Sequence, residues 1–199
     1  MSEVLSIYEI ADLNKNSITA KDNFNFIHYL DTSSLTKNKV DSLQFLEFEF
    51  PSRAKRKVTI NTILYSTVRP NQEHFGIIEN QIADNLIAST GFTTIDIVSS
   101  KINAKYLYYK LIQPFVINYL QGIAENSVSA YPSIKSEAIG NLRFSFPNLL
   151  TQQKIASILS ALDDKIELNN RINDNLFYKI TALLPVRSLA LVKASHVSC

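Results

Sequence analysis

Cysteine is all but missing from this sequence: the one thiol, Cys199, is the last residue. Disulfides, cysteine-based zinc sites and a catalytic thiol are thereby excluded as organising features, and a reducing compartment fits. No stretch approaches the ~20 apolar residues that a membrane helix needs. The opening "MSEVLSIYEI" has neither the basic region nor the apolar core of a signal peptide. A soluble, cytoplasmic protein with no membrane contact is expected. A strong charge of one sign is missing too. The formal net charge is +2, so any attraction to nucleic acid must come from local clusters. The chemistry-bearing motifs are equally sparse. There is no GxGxxG or GxxxxGK[ST] to cradle a phosphate, no HExxH, and no NPP[FY]-like motif of an amino-methyltransferase. His28, His74 and His196 are isolated from one another along the chain. "DDK" (Asp163 to Lys165) falls inside a predicted helix, where Asp163 and Lys165 point to different faces and read as solvated charge. No catalytic residue, metal site or cofactor of the chain's own is expected.

What is present is a core and an appendage. The 199 residues are 46% hydrophobic, enough for one globular domain with a real interior. The first half reads as short strands: "FNFIHYL", "FLEFEF", "KVTI", "TILYSTV", "FGIIE", "NLIAST" and "FTTIDIV". Pro51, Pro70, Gly76 and Gly91 punctuate them. Over Asn103 to Leu120 the period lengthens to three and four, with Pro114 breaking the run where a second helix can begin. "GIAENSVSAYPSIKSEAIG" reads as mostly loop, and "LRFSFP" as a last strand. The class expected is α+β: a mostly antiparallel β body with small helices over 1–150, followed by one long helix.

That helix is the most regular part of the chain. "ILSALDDKIELNNRINDNL" (Ile158 to Leu176) contains no Gly, Pro or aromatic residue. Thr151 offers an N-cap, and the helix is predicted over 151–184, ending before Pro185. Such a rod is roughly 50 Å long, longer than a small domain is wide. Steps of seven from Ile155 give Leu162, Asn169, Leu176 and Leu183, a heptad seam with one Asn in it. Ile166, Ile172 and Ile180 widen the stripe. A helix packed on its own domain would use such a stripe, but a coiled coil fits its length better. The expected dimerisation positions are Ile155, Leu162, Ile166, Asn169, Ile172, Leu176 and Ile180. Residues 185–199 have no seam and are expected to be a disordered tail.

The remaining clusters suit a binding surface. "RAKRK" places Arg53, Lys55, Arg56 and Lys57 at an expected turn between strands. In "STVRP", Ser66 and Thr67 precede Arg69, whose backbone the following Pro70 is expected to hold extended. "STGF" contributes Thr90, and "SAYPSIK" contributes Tyr131 and Lys135. Lys and Arg neutralise phosphates, and Arg, Ser and Thr also reach base edges. Solvated turns and a strand exit are the plainer reading of each cluster taken alone.

In order along the chain stand "YLDTSSLTKN", "ILYSTVRP", "STGF", "AYPSI" and "FPNLLTQQKIASILSALDDKIELNNRIND". This series resembles the DNA-specificity subunit of type I restriction–modification systems, up to about Ile180. The resemblance implies target-recognition domains, each followed by a long helix. Two such helices pack antiparallel and measure the spacer between the halves of a split target on double-stranded DNA. It also implies methyltransferase (modification) and restriction subunits as partners, with S-adenosylmethionine, ATP and magnesium on those partners. One recognition domain and one helix stand in this chain, so a homodimer is expected. A half-subunit, a truncated product and one piece of a split gene all fit. A stand-alone dimeric DNA-binding regulator using the same helix is the alternative function.

Overall fold

A computed structural model of the chain describes residues 2–127 and 132–183, the last six of these by backbone alone. Tyr131, the side chain of Ile180 and the tail from 185 lie outside the described residues. The strands are β1 (Glu3–Ser6), β2 (Ala11–Leu13), β3 (Phe26–Leu30), β4 (Leu35–Thr36), β5 (Lys39–Val40), β6 (Gln44–Glu47), β7 (Ala54–Lys57), β8 (Ile63–Ser66), β9 (Phe75–Ile77), β10 (Leu86–Ser89), β11 (Phe92–Ile97) and β12 (Arg143–Phe146). The helices are α1 (Ala104–Leu111), α2 (Pro114–Glu125), α3 (Ser136–Gly140) and α4 (Leu149–Leu183). Two four-stranded sheets, ordered β6-β3-β10-β7 and β2-β11-β8-β9, form the body. Among the described residues every strand pair is antiparallel except β3 with β10. The α+β class read from the sequence is the class observed.

The two faces of β8 show how the layers are made. Ile63 and Tyr65 belong to a cluster that includes Leu107 and Leu111 of α1 and Val116 and Leu120 of α2. Leu64, between them, faces the other way and packs with Leu30 of β3, Ala88 of β10 and Phe92 of β11. The alternation of a strand therefore joins helix layer, sheet and second sheet. Helix α1 starts at Asn103, whose side chain accepts a bond from the Tyr106 N–H, and Pro114 opens α2. The segment expected as loop after Leu120 is more ordered than its composition suggests. Helix α2 runs on to Glu125, and α3 follows at Ser136–Gly140. Strand β1 pairs with β12, more than 130 residues away, with Glu3 opposite Phe146. No local period reveals a pairing of that span.

The chain before β3 covers the outer edge of β7. The Ile18 N–H donates to Lys55, the Lys57 N–H donates to Asn16, and Ser17 bridges Arg56. Lys57 Nζ lies 2.9 Å from Asp22 Oδ1. The hydrogen bond from Lys57, with those from the Thr19 N–H and hydroxyl, holds the Asp22 carboxyl down to about 2. The "RAKRK" segment is therefore a paired strand from Ala54 onward and not a turn.

Helix α4 begins earlier than its sequence suggests. Asn148, not Thr151, is the cap: its Oδ1 accepts the Thr151 N–H at 2.9 Å. An Asn three residues upstream competes well for this role because Asn ranks with the best N-caps. One turn on, Gln152 is 1% exposed. Its Nε2 donates to the carbonyls of Lys101 (3.0 Å) and Pro147 (2.8 Å), and its Oε1 accepts the Asn103 N–H (3.0 Å). A single amide thus satisfies backbone groups at the start of α1 and the end of β12. The chain divides into two units, Met1–Ala156 and Ser157–Cys199. The described part of the second is one run of helix, with Leu162 51% and Leu176 52% exposed and Ile158, Ile166 and Ile172 exposed beside them.

Gln152→Ala leaves those three backbone groups without their partner. A loss of roughly 1–3 kcal/mol is expected, read from the urea midpoint of the first unit's transition at unchanged slope. Acid should act at Asp22. Its depressed carboxyl contributes stability above the ordinary value of about 3.9, and this is lost as pH falls through about 2. Lys57→Met should raise the Asp22 titration and flatten the pH dependence of stability in that window. Carboxyl carbon shifts followed by NMR check it.

Candidate nucleic-acid interface

The parallel pair places the interface. Because β3 and β10 run the same way, with His28 opposite Leu86 and Leu30 opposite Ala88, their C-terminal ends lie side by side. Strand β7 runs against β10, so its N-terminal Ala54 sits opposite Ser89 at that same end. In the other sheet, β8 ends at Ser66 opposite Phe92, the first residue of β11. The Thr90–Gly91 turn joins β10 of one sheet to β11 of the other. Five segments therefore meet at one end of the body: the turn after β3, the turn before β7, the exit of β8, the Thr90–Gly91 turn, and residues 132–135.

Backbone hydrogen bonds tie them together. The Thr90 N–H donates to the Arg53 carbonyl at 2.8 Å. Both the N–H and the hydroxyl of Thr67 donate to the Gly91 carbonyl at 2.9 Å. The Arg69 N–H donates to Pro132 (2.9 Å), the Ile134 N–H donates to Thr67 (2.8 Å), and Val68 bridges Ser133. The "STVRP" and "STGF" loops and residues 132–134, well apart in sequence, are thus bonded side by side. Arg53, Arg69 and Lys135 are exposed there, Thr67 and Thr90 are half-buried, and Lys55 is exposed one residue inside β7.

Several candidate residues have other duties. Arg56 is half-buried. Its Nη1 donates to the Ser17 hydroxyl (3.1 Å) and the Asn14 carbonyl (3.4 Å), and burial lowers its pKa. Lys57 is held by Asp22. These two cations pin the N-terminal segment to the sheet, so only Arg53 and Lys55 of the basic cluster face water. Ser66 is 2% exposed; its hydroxyl donates to the Val68 carbonyl (3.0 Å) and accepts the Val68 N–H (3.2 Å), which shapes the strand exit. Arg69 is not extended. Its φ of 46° and ψ of 71° are left-handed, an uncommon conformation for a residue with a Cβ. The bond from its N–H to Pro132 and the Gln72 N–H donating to its carbonyl impose it, against the usual preference before proline.

Asp31, not among the expected site residues, and Gly91, expected only as punctuation between strands, complete the face. Asp31, just past β3, accepts from the Tyr29 hydroxyl (3.0 Å) and the Ser33 hydroxyl (3.3 Å). Burial alone would raise its carboxyl. Bonds from Tyr29 and the Thr32 N–H, the positive charge of Arg53 and the bond from Ser33 outweigh it, and the group is held below its ordinary value. Gly91 sits between Thr32 and Arg53: a Cβ there would lie 2.6 Å from Arg53 Nη2 and 2.7 Å from Thr32 Cγ2. Both Asp31 and Gly91 lie within the sequence motifs, but neither residue type by itself announces a position beside an arginine.

Comparison with known proteins bears on what such a face serves. The family model described as the type I restriction modification DNA specificity domain matches residues 2–177. The HindI specificity subunit of Haemophilus influenzae is 31% identical over 173 residues, 85% of this chain and 37% of that protein. A putative type I restriction enzyme specificity subunit, MjaX, of Methanocaldococcus jannaschii is 29% identical over 177 residues, 85% of this chain and 41% of that protein. The chain thus spans about two fifths of the length of these curated relatives. In fold it is similar to the HsdS subunit from Thermoanaerobacter tengcongensis, with a TM-score of 0.68 at 20% identity over 92% of this chain and 47% of that one. A chain solved in a study of the assembly of the type I R-M system superposes with a TM-score of 0.72 at 22% identity, over 96% and 49%. With a family match over nearly the whole described chain and a relative above 30% identity, the chain belongs to the DNA-specificity family of type I restriction–modification systems, whose members recognise DNA and do not catalyse its modification.

Proposed function

We propose that the end of the body where the five segments meet reads one half of a bipartite DNA target. In this reading α4 sets the distance to the other half. The observation that carries it is the convergence: loops from both sheets are bonded into one polar face that exposes Arg53, Lys55, Arg69 and Lys135. Such a face offers charge to phosphates and forked or hydroxylic donors to base edges. Tyr131 belongs to the same loop by sequence. The chain would contribute no chemistry of its own. Modification and restriction subunits, carrying S-adenosylmethionine, ATP and magnesium, would be positioned on the duplex by it, in the cytoplasm.

The helix supports the second half of the proposal. Its 35 residues span about 52 Å, against ~34 Å for a turn of DNA. Its apolar stripe is exposed from Ile155 to Leu176, a long apolar strip for a soluble helix to leave in water. A second α4 in a homodimer, packed antiparallel, covers it. Asn169 then lies near its own mate, where two amides satisfy each other. Selection of binding sites from random duplexes by the chain together with the modification subunit of its system tests the whole reading. Failure to enrich any sequence overturns it.

Three outcomes are expected. Leu176→Asp places a charge on the seam and should give monomers by light scattering where the parent chain gives dimers. The enriched site should be an interrupted palindrome, because identical domains related by a two-fold axis read identical half-sites. An asymmetric site would mean that a different chain supplies the second domain. Lys55→Ala should weaken target and random DNA about equally and lower the salt slope by about one, as a phosphate contact does.

A further inference from the structure

The geometry points to Arg53 as a base-reading residue, held against Gly91 and Asp31 so that its guanidinium fork meets the major-groove edge of a guanine. The inference rests on the reading of this end of the body as the DNA-contacting face. It goes further in giving one residue a specificity role and in naming the base.

Four observations support it. First, Arg53 differs from its neighbours in what it does within the fold. Arg56 donates to Ser17 and Asn14, and Lys57 is paired with Asp22. The Arg53 guanidinium makes no hydrogen bond with the described residues and is exposed, so all its donors are available. Second, its base is fixed at both ends. The Arg53 carbonyl accepts the Thr90 N–H (2.8 Å), and the next residue, Ala54, bonds back to Pro51 (2.8 Å) and opens a strand. The side chain therefore leaves from a rigid point.

Third, the fork has a prepared seat. Gly91 does not use a left-handed backbone, so its lack of a side chain is not explained by φ. Space explains it: any Cβ would stand 2.6 Å from Arg53 Nη2 and 2.7 Å from Thr32 Cγ2. The Gly91 carbonyl is itself anchored by both donors of Thr67, so the seat does not drift. Fourth, a carboxylate lies near the arginine. Asp31 is oriented by Tyr29 and Ser33 (3.0 and 3.3 Å) and feels the Arg53 charge without a direct ion pair. Its charge attracts the guanidinium without engaging its donors. A phosphate contact needs only a cation on a flexible stem. A rigid origin, a cleared seat and an attracting anion are what a bidentate contact to guanine O6 and N7 requires.

The test uses the chain with the modification subunit of its system, on the target that the parent complex selects. Arg53→Lys keeps the charge and removes the fork. Gly91→Ala sets a methyl against both the Arg53 guanidinium and Thr32 Cγ2 and so pushes the fork off its seat; its thermal midpoint, read beside its affinity, separates that effect from a loss of fold. Each variant is titrated against target and random duplexes, and against target in which each guanine in turn is replaced by 7-deazaguanine. For the parent, one replacement should cost on the order of tenfold or more in affinity. Both variants should lose a comparable factor in the ratio of target to random affinity at nearly unchanged salt slope, and should be indifferent to that one replacement. Asp31→Asn should fall between parent and Arg53→Lys. Three results overturn the inference: a half-site without guanine, a specificity ratio preserved in Arg53→Lys, or, in the further variant Arg53→Ala, a uniform weakening of all DNA with a reduced salt slope. If the parent complex selects no sequence at all, the DNA-reading role of the face falls, and this inference with it.

Discussion

Strands β3 and β10 run parallel, and much of the rest of the molecule depends on that pairing. In a sheet of hairpins alone, successive strand ends alternate between the two edges and their loops are shared out. One parallel pair brings two C-terminal ends together, and the antiparallel β7 adds its N-terminal end to them. The chain then crosses to the second sheet through Thr90 and Gly91 at that same end. Thr67, Arg69 and the 132–134 segment are bonded on from the other side. The face proposed to meet DNA is thus a consequence of strand direction, which brings its loops to one end.

The same end of the molecule separates structural cations from available ones. Burial in the sheet tends to penalise a charge unless it is paired. Arg56 and Lys57 lie where the N-terminal segment crosses β7, and each finds its partners there. Arg53 precedes the strand and Lys55 is exposed on it, so both stay in water. A cluster of four cations in five residues therefore divides into two roles along the length of one short strand. Its net charge is a poor guide to how many of them a ligand can meet.

Gln152 plays a comparable organising role at the root of α4. A helix start exposes unpaired N–H groups, and strand and loop ends expose carbonyls. The Gln152 amide, with a donor side and an acceptor side, serves Lys101, Pro147 and Asn103 at once. The start of the helix is thereby fixed within the first unit by polar bonds. From Ile158 onward its apolar positions are exposed.

Local pattern by itself determined most of the longer strand runs, the break at Pro114, the long helix and its stripe, because period and punctuation are written residue by residue; it misplaced one run, since the strand is Ala54–Lys57 and not KVTI. The order of the loop motifs and of the helix start pointed to the family. The register of β1 with β12, the parallel pairing, and the meeting of Arg53 with Gly91 and Asp31 were decided only by the tertiary structure. Each depends on which surfaces come together across about 20 to about 140 residues. Arg69 shows the difference most plainly. Proline after it argued for an extended backbone, yet two hydrogen bonds, one of them to a segment more than 60 residues away, hold it left-handed. Arg56 shows it in charge: as a letter it is one more cation, and only the Asn14–Ser17 segment laid against it makes it part of the scaffold.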